Sequence, residues 1–177
     1  SVTIGIPQGS ILGPLLFLIF INDLPDCVDA TTHMYADDTS IVTSENDVTR
    51  LCAKMNQNAK DVSDWLQSNH LFQNILKTNI ILFATAKRLS MTELSTFKVY
   101  MDGTELKRVQ ACKVLGVILD ESLSFNQHIS KLCSKLSQKI GLLKRLKNTI
   151  PSNALLMLYN AIVLPHMDYC DIIWEIG

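Results

Sequence analysis

Two carboxylates stand side by side in an otherwise apolar, strand-like stretch: "HMYADDTSIV", residues 33 to 42, carries Asp37 and Asp38. Repulsion between adjacent like charges raises one carboxylate's pKa and costs stability, so such a pair on a tight bend points to a neutralising cation. A hard divalent ion with oxygen ligands is the obvious candidate. An Asp-rich β-turn, in which the carboxylates bond their own backbone, is the competing reading of the dipeptide alone.

A second pattern is basic. Residues 126 to 150 hold Lys131, Lys135, Lys139, Lys144, Arg145 and Lys147 with no acid, whereas residues 1 to 100 hold 7 basic and 10 acidic side chains within an overall net charge of −1. A basic face attracts phosphates by releasing their counterions; a solvated helical face is the plainer alternative. The four histidines are scattered singly and are given no catalytic role. The five cysteines match neither a disulfide framework nor CxxC knuckles, so reduced, buried thiols of an intracellular protein, with no disulfide partner, are expected.

These residues need elements to hold them. With 177 residues, 47% of them hydrophobic, the chain has material for one domain or a domain plus a small appendage, which excludes a disordered chain. "GIPQGS" (Gly5 to Ser10) reads as a loop, with Ser10 as cap of a helix ending near Ile21. The apolar run Ile11 to Ile21, broken by Pro14, is too short for a membrane and is expected to be a buried core helix. Thr32 to Tyr35 and Thr39 to Thr43 read as arms of a hairpin with the aspartates at its tip. Val48, Leu51, Cys52, Met55, Ala59, Val62 and Leu66 form one helical stripe, with Ser44 as its cap. Lys77 to Phe83 is a strand candidate, Asp102-Gly103 a hairpin turn, and Cys112 to Asp120 a buried strand. A capping box at Ser124 and Gln127 opens a helix through Leu143, and Pro151 separates it from another, Asn153 to Val163. The order is α+β up to about residue 120 and helical afterwards, with no internal repeat. Both ends, Ser1 and Gly177, look cut, so a piece of a longer chain is expected.

"GIPQGSILGPLLFLIFINDLP" followed by "YADDTSI", then "WLQSNHLFQNILKTNIILF", "KVLGVILDESLSFNQHI" and "LYNAIVLPHMDYCDIIW", resembles in this order the reverse transcriptases of non-LTR, LINE-type (jockey-like) retrotransposons. The resemblance covers nearly the whole chain. It implies an α+β palm, an antiparallel sheet with packed helices, over residues 1–119 and an all-helical thumb over 120–177. It implies an RNA-directed DNA polymerase that adds deoxynucleotides to a primer 3′-hydroxyl by two-metal phosphoryl transfer, with an RNA template, a DNA primer and deoxynucleotide triphosphates as partners and no membrane.

By the same resemblance Asp37 and Asp38 are metal ligands for Mg²⁺, or Mn²⁺ in its place, and Lys77 is a general acid or charge stabiliser. Pro7, Gln8, Gly9 and Tyr35 belong to the nucleotide and template pocket, while Gly116, Lys131, Lys135 and Lys139 face the primer duplex. An ordinary turn for Gly9, a solvated strand-edge lysine for Lys77 and a strand bulge for Gly116 are the structural alternatives. The family's first catalytic aspartate belongs to a strand upstream of "GIPQGS", so the chain alone is expected to be inactive. Gln73, where the family has an apolar residue, and Leu76, where it is commonly polar, hint at a decaying copy. A non-catalytic nucleic-acid-binding remnant is therefore the alternative function. The implied location is an element ribonucleoprotein in nucleus and cytoplasm.

Overall fold

The computed structural model describes residues 9–91 and 96–175. Pro7 and Gln8 lie outside the described residues. In chain order come α1 (Gly13–Phe20), a 3-10 turn (Leu24–Cys27), β1 (Thr31–Tyr35), β2 (Asp38–Val42), α2 (Val48–Ser68), β3 (Asn79–Ile80), α3 (Ala86–Met91), β4 (Tyr100–Met101) and β5 (Thr104–Glu105). They are followed by β6 (Lys107–Arg108), β7 (Ala111–Val114), β8 (Val117–Asp120), α4 (Asn126–Leu146), α5 (Ser152–Ile162), α6 (Leu164–Met167) and α7 (Asp171–Trp174). Packing divides them into two units, one from residues 1–79 and 92–107, the other from 80–91 and 108–177. In the second unit β8 packs against α4, so the β7–β8 hairpin lies with the helices.

In the first unit α2 is the spine. Its apolar stripe buries Ala59 and Val62, and Asp47, rather than the expected Ser44, caps it by accepting the Arg50 N–H at 2.9 Å. The β4–β5 hairpin docks on α2 through one amide: Asn56 Nδ2 donates to the Lys98 carbonyl and Asn56 Oδ1 accepts the Tyr100 N–H, both at 2.9 Å. Both turn residues, Asp102 (φ 49°) and Gly103 (φ 74°), have positive φ, which the right-handed twist of a two-residue hairpin favours. Asp102 then accepts from Ser63 and Gln73, and from Gln67 at 3.3 Å, so one turn carboxylate is tied to three polar side chains. Gln73 is thus not an ill-fitting replacement; its amide has a carboxylate waiting for it.

The expectation of a buried helix at Ile11 to Ile21 is corrected. No residue of α1 is buried, Ile19 is 65% exposed, and only Ile21, beyond the helix, reaches the core at 3%. A helix that is apolar on every side can place only one side against its unit, here with Phe20 tilted against Trp65 at 6.4 Å between ring centres. Its cap position is Leu12, not Ser10, and makes no side-chain bond.

In the second unit the expected single strand Cys112 to Asp120 is a hairpin. Val114 pairs with Val117, and Leu115 (φ 44°) and Gly116 (φ 95°) make the two-residue turn. Strand structure in Lys77 to Phe83 is confined to Asn79–Ile80. The Ser124–Gln127 capping box does not form: α4 starts after Phe125 at φ 56°, and the Ser124 hydroxyl goes to Asp120 instead. α5 packs along α4, and Val163 just beyond it is buried at 1%. The cysteines are free, but Cys133 is exposed and the other four are half-buried, so none is the buried thiol expected.

Candidate functional site

The strands β1 and β2 pair in antiparallel register from Thr31↔Val42 to Tyr35↔Asp38. Alternating half-burial along β1 anchors Thr32 and Met34 and turns Thr31, His33 and Tyr35 outward. Ala36 and Asp37 make the turn, with Ala36 held at φ 52°. The tip is therefore one residue shorter than expected, and Asp38 is the first residue of β2 rather than part of the bend. Tyr35, Asp37 and Asp38 are brought together at an exposed end, and Tyr35 is 67% exposed.

Among the described residues, neither Asp37 nor Asp38 has an ion-pair or side-chain hydrogen-bond partner; the three ion pairs are Lys54–Asp29, Lys98–Glu105 and Arg108–Glu121. Four hard carboxylate oxygens stand open to solvent, a donor set that suits magnesium or manganese. Among the described residues no three His, Cys, Asp or Glu side chains converge where they could hold a metal ion.

The other expected site residues fall as follows. Gly9 has φ +85° and nothing within 4 Å of where a Cβ would stand, so its backbone conformation, not crowding, calls for glycine. Lys77 is exposed at the end of the loop that follows α2, its N–H bonded to the Asn74 carbonyl at 3.0 Å, and no bond joins it to the hairpin aspartates. On α4, Lys131, Lys135 and Lys139 recur at every fourth position and share one face. Lys131 and Lys135 are exposed, but Lys139 Nζ donates to the Ile162 carbonyl at 2.8 Å and so closes the C-terminal end of α5. His166 belongs to the same neighbourhood: desolvation first, then the charges of Lys135 and Lys139, hold its pKa below the ordinary value. Gly116 sits in a hairpin turn, not a bulge, and a Cβ there would stand 3.1 Å from Tyr169 Cε1.

Four polar side chains hold roles that the sequence reading does not give them. Asn56 looks like an ordinary surface residue, and Asp102 reads only as a turn residue. Asp120 has a legible signal, a serine two and four residues on, since Asp and Ser favour such local bonds. Tyr169 has none, because its partner lies 54 residues away.

The reverse transcriptase (RNA-dependent DNA polymerase) family matches residues 2–119. Among curated proteins, the RNA-directed DNA polymerase from mobile element jockey of Drosophila melanogaster is 26% identical over 93% of this chain and 19% of its own length. The probable RNA-directed DNA polymerases from transposon BS and transposon X-element, of the same species, are 31% and 27% identical over 98% and 100% of this chain, and 20% of their own lengths. The chain thus spans about a fifth of each of these relatives. No solved structure matches.

Proposed function

Because the chain belongs to the reverse transcriptase (RNA-dependent DNA polymerase) family, we propose that it is part of an RNA-directed DNA polymerase of a LINE-type retrotransposon, acting within the element's ribonucleoprotein in nucleus and cytoplasm. In this reading residues 1–119 are the later part of a palm and 120–177 part of a helical thumb. The observation that carries it is the hairpin tip, where two adjacent, exposed carboxylates have, among the described residues, no ion-pair partner.

Asp37 and Asp38 would hold magnesium, or manganese in its place; once bound, the metal neutralises charge at the transferring phosphate and activates the attacking hydroxyl. The chain's residues do the positioning. The register of β1 and β2 fixes both carboxylates at one end, and Tyr35 sets an exposed ring across from Asp38 for the nucleotide. Gly9, where nothing stands within 4 Å of a would-be Cβ, would serve the nucleotide and template pocket together with Pro7 and Gln8, as the resemblance implies. Lys77 stabilises charge on the departing pyrophosphate. Lys131 and Lys135 follow the duplex backbone, while Lys139 is shared with the Ile162 carbonyl. A metal held there would need a further carboxylate beyond Asp37 and Asp38, and the 177 residues by themselves are expected to give no primer extension.

Manganese, a paramagnetic stand-in, tests the hairpin directly. It should broaden the amide signals of Thr31 to Val42, and Asp37→Asn or Asp38→Asn should abolish the effect; unchanged signals in the unsubstituted chain would refute the metal reading. In a protein carrying the complete reading frame, either substitution should lower magnesium-dependent primer extension roughly a thousandfold.

A second reading, a nucleic-acid-binding remnant without catalysis, is favoured by the exposed face of Lys131 and Lys135 beside His166. Duplex binding by the chain that needs no divalent ion, with no extension from the complete frame, is its distinguishing result.

A further inference from the structure

Lys139 marks the place where α4 meets the junction of α5 and α6. Its Nζ donates to the carbonyl of Ile162, the last residue of α5, at 2.8 Å. Val163, next in the chain, is 1% exposed and pins the junction. The chain turns there into α6, and the His166 N–H donates to the Val163 carbonyl at 3.1 Å. His166 thus comes one turn after the carbonyl that Lys139 grips, and it is half-buried. After desolvation, the charges of Lys135 and Lys139 hold its pKa below the ordinary value, which marks both ammonium groups as its neighbours.

Three basic side chains from two helices therefore gather without an acid to offset them. Residues 126 to 150 contain no Asp or Glu, and among the described residues no ion pair involves Lys135, Lys139 or His166. Tyr159 is the only titratable side chain of α5, and it lines a groove with Lys144 and Lys147. Beyond α6 stand Asp168, Cys170 and Asp171, of which Asp171 accepts the Ile172 N–H at 2.8 Å, and the charges acting on His166 are the two positive ones. Like charges held together are relieved by an incoming anion. Lys135 is exposed with all its donors, whereas Lys139 spends one of its three on Ile162.

We propose that Lys135 and His166 together receive one backbone phosphate of the bound nucleic-acid strand, while Lys139, anchored at Ile162, lends its charge. This rests on the nucleic-acid reading above and adds to it a histidine and a proton. The phosphate offsets the lysine charges, so the imidazole takes up a proton from solvent on binding and offers two N–H donors instead of one. A group whose pKa is higher in the complex than in the free protein strengthens binding below its free value, and that gain is lost as pH rises through the value in the complex. Duplex binding should therefore tighten as pH falls.

The test uses the 177-residue chain and an RNA–DNA duplex without terminal phosphates. Proton NMR follows the ring signals of the four histidines from about pH 8 to about 5.5, with and without duplex, and anisotropy reads the affinity over the same range. With duplex the His166 pKa should rise by about one unit, more than those of His33, His70 and His128, and affinity should gain roughly tenfold across the range. His166→Gln should remove most of that gain. His70→Gln, at an exposed residue of the other unit, should keep it.

A rise at His166 no larger than at the other histidines would mark a diffuse field and overturn the proposal. So would an undiminished pH dependence in His166→Gln, or the same rise with inorganic phosphate at equal micromolar concentration, which would make this a site for free phosphate. The NMR titration decides on unsubstituted protein even if His166→Gln does not fold. In these cases duplex binding survives and only the role of His166 falls. Absence of duplex binding by the unsubstituted chain at low salt overturns the nucleic-acid reading itself.

Discussion

Both oxygens of Asp120 are engaged. Oδ1 accepts the Ser122 N–H at 3.1 Å, the Ser122 hydroxyl at 2.8 Å and the Ser124 N–H at 2.9 Å, while Oδ2 accepts the Ser124 hydroxyl at 2.9 Å. Burial alone would raise its pKa, but these bonds outweigh burial and bring it to about 2. A carboxylate depressed in the folded state stabilises above its ordinary value and loses that contribution as pH falls. The loss attributable to Asp120 should therefore fall between pH 3.8 and about 2. Urea melts across that window should show it, and Asp120→Asn should flatten the slope; at neutral pH Asp120→Ala should cost about 1–3 kcal/mol, because several donors lose their acceptor. His128 behaves oppositely in charge but not in direction. Burial lowers its pKa, so its neutral form belongs to the fold and its contribution declines as pH drops below the ordinary value of 6.5. Asp37 and Asp38 were legible as a pair because like charges side by side in an apolar stretch demand a reason. Asp120 was not singled out, since its reason is local and polar.

At the level of elements, three two-residue hairpins recur, at Ala36-Asp37, Asp102-Gly103 and Leu115-Gly116. Only the second was read correctly as a two-residue turn, because Asp-Gly carries a strong local signal and Leu-Gly inside "CKVLGVILD" reads as uninterrupted strand. Helices α2, α4 and α5 were legible within a few residues, since an apolar stripe repeats over several turns. Their caps were not: Ser44, Ser10 and Ser124 all had the right chemistry and the wrong geometry. Turn strain makes a paired prediction. Ala36→Gly should relieve a left-handed alanine and raise stability by about 0.5 kcal/mol, whereas Gly103→Ala should lower it by about 1 kcal/mol, both read from urea denaturation. Asn56→Ala should cost about 2 kcal/mol and accelerate hydrogen exchange at the Tyr100 amide, whose acceptor it removes.

Across the whole molecule, apolar side chains are abundant outside the core. Leu15, Leu16, Leu18, Ile19 and Phe20 on α1, and Leu156 and Met157 on α5, are all exposed. Sequence hydropathy announced α1 as apolar but could not say what it packs against, because that depends on partners in space. Exposed apolar side chains on a helix such as α1 promote association. Leu16→Gln combined with Ile19→Gln should lower binding of an apolar fluorescent dye and shift sedimentation toward the monomer, with little effect on the thermal midpoint. The basic stretch was legible as a cluster, but not as two populations. Neutralising exposed Lys131 and Lys135 together should reduce the salt slope of duplex binding by about 2, following the 0.9 per phosphate contact of duplex DNA. Lys139→Ala should instead act mainly through stability, since its ammonium serves Ile162.

The β1–β2 register ends at Tyr35↔Asp38 with two residues left to turn the chain. Successive residues of a strand face opposite ways. Point substitutions in the arms therefore leave the acidic end where it is, whereas gaining or losing one codon between 35 and 38 would send Asp38 to the other side. In copies of such an element drifting apart over time, length at this bend should outlast identity around it.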